Sequence, residues 1–112
     1  MSKTKKPGDI LEDDIEGYLV SSIEALGGEC LKLRPPRGRG FPDRTCKIPG
    51  RDTFYVETKR PVGGVITKQQ KEWAKRLRAA GSLVLFVSTR AEVDTILRAV
   101  LAGPHTVDAR VK

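Results

Sequence analysis

From Asp9 to Leu26 the apolar residues Leu11, Ile15, Tyr18, Leu19, Ile23 and Leu26 return every three or four positions, and Gly27-Gly28 ends the pattern. That spacing predicts an amphipathic helix with a glycine stop. Glu29 to Arg34 reads as a short strand, and the prolines and glycines of Pro35 to Pro42 exclude regular structure, leaving a basic loop. Two β-favouring runs, Arg44 to Ile48 and Thr53 to Lys59, flank the turn sequence Pro49-Gly50-Arg51-Asp52 and predict a hairpin. After the flexible stretch Arg60 to Gly64, Thr67 can cap a helix that carries Gln70, Trp73, Ala74 and Leu77 on one face and ends at Gly81. Leu83 to Val87 is apolar at every residue, as expected of a strand covered on both faces, which predicts the central strand of the sheet. Thr89 with Glu92 resembles a capping box, and Val93, Ile96, Leu97, Val100 and Leu101 form the stripe of a third helix that stops at Gly103-Pro104.

The order αβββαβα predicts an α/β fold: a mixed sheet flanked by helices, with one right-handed crossover between the last two strands. At 112 residues there is room for one core, and the pattern assigns it to residues 9–103. Residues 1–8 are basic without an apolar stretch and read as a disordered tail, which points to the cytoplasm. Residues 104–112 alternate weakly at Val107, Ala109 and Val111, so a frayed tail and a short edge strand both remain open. No apolar run approaches the roughly 18 residues of a membrane span. Twenty-one Lys and Arg against fourteen Asp and Glu give +7, which favours a polyanion, with nucleic acid the leading partner and solubilising charge the plainer alternative. Cys30 and Cys46 lie in no CxxC pair, so they read as buried, reduced thiols rather than a zinc site or disulfide. His105 has no partner in the pattern, and Trp73, on an apolar helix face, reads as a core anchor.

Strand side chains alternate, so Tyr55, Glu57 and Lys59 share a face opposite Phe54, Val56 and Thr58. Glu57 and Lys59 leave the strand about 7 Å apart, and antiparallel pairing brings Asp43 towards Glu57. Two converging carboxylates repel unless a proton or a cation lies between them. Oxygen ligands with no His or Cys nearby favour Mg²⁺ or Mn²⁺, whose chemistry suits phosphodiester hydrolysis. Carboxylates beside a lysine favour its ammonium form, so the expected role of Lys59 is electrostatic. Arg37, Arg39 and Arg44 flank this centre and Arg60 follows it, where they could grip backbone phosphates without sequence preference. Alternatively, they solubilise two loops.

Gly40-Phe41-Pro42-Asp43, Glu57-Thr58-Lys59-Arg60-Pro61 and Gln70-Lys71-Glu72-Trp73 resemble the virus-type replication-repair nucleases, the VRR-NUC domains of the restriction-endonuclease-like PD-(D/E)xK superfamily. The resemblance runs from about Ile10 to Leu101. It implies that Asp43, Glu57 and the Thr58 carbonyl are metal ligands, that Lys59 is the catalytic lysine, and that Glu16 and Gln70 are further catalytic positions. Read locally, Glu16 is also what an exposed helix acid four residues after Glu12 would look like, and a capping box with Thr67 accounts for Gln70 without chemistry. The family implies a Mg²⁺- or Mn²⁺-dependent endonuclease on branched DNA such as Holliday junctions, acting as a homodimer in a bacterial or phage-infected cell. The rival from another class is a non-catalytic nucleic-acid-binding module, its acids serving as surface charge.

Overall fold

In the computed structural model, residues 7–32 and 39–103 are described, with side chains from Leu11 onward. Leu33 and Arg34 of the first expected strand, Arg37, and residues 1–6 and 104–112 lie outside the described residues. Helix α1 runs over Pro7–Ala25. It begins two residues before the expected start at Asp9 because proline is suited to an opening turn, where its missing N–H leaves no bond unmade. Strands β1 (Glu29–Lys32), β2 (Arg44–Lys47) and β3 (Phe54–Thr58) precede α2 (Lys68–Ala79), β4 (Leu83–Val87) and α3 (Arg90–Ala102). The αβββαβα order therefore stands.

The strand order within the sheet is β1-β2-β3-β4, antiparallel through the first three and parallel between β3 and β4, which the α2 crossover requires. This corrects the expectation for Leu83–Val87. Among the described residues β4 is an edge strand, and β2 and β3 are interior. Its unbroken apolar run reflects helices over both faces, a condition that says nothing about neighbours in the plane of the sheet. Leu83, at its start, is accordingly 46% exposed.

Ile15, Leu19 and Ile23 of α1 and Val93 and Leu97 of α3 pack on Cys30, Cys46, Phe54, Val56 and Val87, forming the main core on one face. The Tyr18 hydroxyl donates to Asp94 at 2.5 Å, and the Arg90 guanidinium lies 4.8 Å over the Tyr18 ring while pairing with Asp14, so α1 and α3 are joined by polar as well as apolar contacts. Helix α2 covers the other face, with Ala74 buried and Phe41 lying edge-on to both Tyr55 and Trp73, at 5.6 and 5.1 Å between ring centres. Among the described residues no helix is long and apolar enough to cross a membrane.

Candidate active site

Alternation along β3 sends Phe54 and Val56 into the α1–α3 core and turns Tyr55 and Glu57 towards α2. Because Arg44 pairs with Val56, the register carries Asp43 opposite Glu57 one step beyond the end of β2. The Asp43 backbone N–H donates to Glu57 Oε1 at 3.0 Å. A side-chain oxygen thus takes the place a strand carbonyl would hold at that rung. Lys59 continues the parallel pairing past β3, its N–H donating to the Val87 carbonyl at 2.7 Å, and its Nζ stands 4.0 Å from Glu57 Oε2.

Glu57 is only 5% exposed. Burial first, and then the negative charge of Asp43, push its carboxyl up to about 7 from an ordinary 4.5, against the Asp43 N–H and the Lys59 ammonium, which favour the ionised form. Burial and the neighbouring acid together therefore outweigh the amide and the ammonium that favour the ionised Glu57. Among the described residues no group of three or more His, Cys, Asp or Glu side chains is arranged around one metal position. The Asp43 and Glu57 carboxylates lie within electrostatic reach of each other, and two hard oxygen donors are of the type that Mg²⁺ takes.

The one side-chain amide of Gln70 makes both the helix cap and a bond to Glu57. Its Oε1 accepts from the Thr67 N–H at 2.9 Å while the Thr67 hydroxyl accepts from the Gln70 N–H, completing the capping box. Its Nε2 donates to Glu57 Oε2 at 3.3 Å. The start of α2 and the buried carboxylate are therefore fastened by the same group.

Glu16 is placed elsewhere. Its Oε2 accepts from Arg44 Nε at 2.8 Å and lies 3.9 Å from Lys32 Nζ, and Arg44 also donates to the Cys30 carbonyl at 3.2 Å. Glu16 and Arg44 thus neutralise each other beside β1 and β2, which leaves Arg44 engaged within the fold rather than open to a phosphate. The acid on α1 that faces the centre is Glu12, one turn earlier. Burial raises its carboxyl above the ordinary range, Lys59 opposes this, and Asp43 adds to it. Sequence reasoning passed over Glu12 because two acids four residues apart share a helix face, and periodicity cannot tell which one meets the strand ends. Thr58 sits buried at the last rung with Val87, and Arg60 is half-buried within electrostatic reach of Glu12.

Gly40 holds the loop before Asp43 against α2. Its φ is +90°, and a Cβ there would stand 2.5 Å from the Gln69 backbone. Gly40→Ala should lower stability by about 2 to 4 kcal/mol through backbone strain and overlap together. A urea melt checks this, and a variant as stable as the parent would show that the loop is not pinned there.

No protein-family model matches the chain. A protein of Acyrthosiphon pisum secondary endosymbiont phage 1, named "Putative nuclease p44", is 37% identical over 91 residues, covering 81% of this chain and 96% of its own length. A solved structure of a VRR_NUC domain superposes with a TM-score of 0.74 at 27% identity, over 79% of this chain and 95% of that one.

Proposed function

Because this chain belongs to the VRR-NUC family of nucleases, with the restriction-endonuclease-like fold, we propose that it is a Mg²⁺- or Mn²⁺-dependent DNA endonuclease centred on Asp43, Glu57 and Lys59. The observation that carries this reading is the buried Glu57 carboxylate, held by the Asp43 amide beside the Asp43 charge and the Lys59 ammonium. Asp43, Glu57 and the Thr58 carbonyl would hold the ion, which when bound supplies Lewis acidity at the phosphoryl group and a source of activated water.

The protein's own groups do the positioning. Gln70 and the Asp43 amide fix both oxygens of Glu57, so the carboxylate cannot rotate away from the end of the strand. Lys59 places a cation where negative charge grows on the phosphate and can orient the attacking water. Its backbone tie to Val87 keeps that cation in register with the sheet. Arg39 and Arg60 supply sequence-independent phosphate contacts, and Arg37 is assigned to the same role on its place in the loop. Arg44 and Glu16 are better read as a supporting pair.

The finer substrate reading is branched DNA, Holliday junctions included, cut by a two-fold dimer whose paired centres meet symmetric strands. It rests on the resemblance to single-domain junction resolvases. Labelled four-way junction, flap and linear duplex should be incubated with Mg²⁺, Mn²⁺ or EDTA. The expected result is metal-dependent cutting, strongest on the junction. Tight binding with no cut on any substrate in either metal would favour the non-catalytic binding module.

A further inference from the structure

Beside the proposed centre, along the flank of α2 and the loop before β2, an open groove is lined by Arg39, Lys68, Gln69, Glu72, Trp73 and Arg76. Its three cations face one carboxylate. Among the described residues Arg39, Lys68 and Arg76 take part in no ion pair, unlike Arg44 and Arg90, whose charges are used inside the fold. The Arg76 guanidinium is instead held 4.2 Å over the Trp73 ring. That contact restrains the long side chain, so less freedom is lost when its N–H groups meet an acceptor. Across the groove, the contact between Gly40 and Gln69 fixes the turn that carries Arg39.

We infer that this groove binds the DNA backbone next to the scissile phosphate, with Arg39, Lys68 and Arg76 as its phosphate contacts and Trp73 as its floor. This rests on the nuclease reading above and extends it by giving the strand a path along α2. Charge complementarity identifies the occupant: an anion with regularly spaced single charges matches cations set on both sides of the groove. Continuity with the centre gives the path its direction. Phe41, in ring contact with Trp73, lies two residues before Asp43, and Gln70, which holds Glu57, follows Gln69 of the groove. The side where sequence reasoning placed Arg44 is closed to phosphate by Glu16.

Trp73 is the only tryptophan in the chain, so its emission reports on the groove without a label. Duplex DNA should be titrated into a Glu57→Gln background in Mg²⁺, with total binding followed separately by anisotropy of the DNA. Saturable quenching of Trp73 that tracks the anisotropy is expected. Arg76→Ala should flatten the plot of log affinity against log salt by about 0.9, the loss of one phosphate contact on duplex. Arg98→Ala, which removes the same charge from α3, should leave the slope unchanged. In the otherwise native enzyme, Arg76→Ala and Lys68→Ala should raise KM several-fold with kcat kept within about twofold.

Unchanged Trp73 emission at full DNA occupancy would overturn the inference, as would equal slopes for Arg76→Ala and the parent, or an equal loss with Arg98→Ala. Those results leave the nuclease reading intact if the native enzyme still cuts. Absence of cutting by the native enzyme would instead remove that reading. Circular dichroism melts within a few degrees of the parent qualify each variant, and Arg76→Gln provides a second removal of charge.

Discussion

Exchange of Glu57 for Gln is expected to slow DNA cleavage about a thousandfold or more, while affinity for DNA stays within a few-fold of the parent. The amide keeps the volume of the carboxyl and can still accept the Asp43 N–H through its oxygen, so the tie to β2 is kept, while its NH₂ takes the place of the oxygen that accepts from Gln70 and that one bond is lost. What disappears is one negative charge between Asp43 and Lys59, and with it the ability to hold a divalent ion. A thousandfold loss corresponds to about 4 kcal/mol of transition-state stabilisation, the scale of a positioned charge in a dry site. Asp43→Ala should match it in rate. Binding should survive in both variants because removing an acid does not weaken attraction to phosphate. Single-turnover cleavage at saturating protein separates the two quantities. A Glu57→Gln protein, pure and cutting at the parental rate, would place the chemistry elsewhere on the molecule.

The second large effect is on stability, and it appears without DNA. In the fold the Glu57 carboxyl is pushed up to about 7 from 4.5, chiefly by burial, so the folded chain holds this proton more tightly than the unfolded chain does. Below about pH 4 both states are protonated and the group contributes no difference. Between the two values the unfolded chain has already released its proton, so raising the pH favours unfolding. Above about 8 both states are ionised and the penalty is complete, at about 3 kcal/mol for a shift of this size. In metal-free buffer the parent should therefore lose about that much stability relative to Glu57→Gln between pH 4 and 8, and Mg²⁺ or Mn²⁺ should restore it at the upper end. Urea melts of both proteins across this range give the difference directly, with the other titrating groups cancelling. Parallel curves would show that burial costs this carboxylate nothing.

The elements were legible wherever local chemistry alone determines them. Thr67 with Gln70 announces the start of α2, Gly27 ends α1, and the Pro49-Gly50 turn sets the β2–β3 register that brings Asp43 to Glu57. Glu57 and Lys59 could be read as neighbours because a strand has period two. Tertiary choices were less visible. Leu83–Val87 shows that both faces are covered but not that the strand lies at the edge. Glu16 and Glu12 are equivalent in helical phase, and only the seating of Arg44 against α1 separates them. For Thr89 and Glu92 the hydroxyl caps as expected, but the Glu92 carboxylate reaches one residue further back, to the Ser88 N–H. Side-chain reach of that kind is decided by packing rather than by spacing.

The bond between the Asp43 amide and Glu57 has a bearing on biosynthesis. It is the last tooth of a zipper formed by β2 and β3, so Asp43 and Glu57 come together only when that zipper has closed to its end. A nascent or misregistered chain presents two scattered acids. On the proposed reading, competence to cut is thereby postponed until folding is complete, with no inhibitor required.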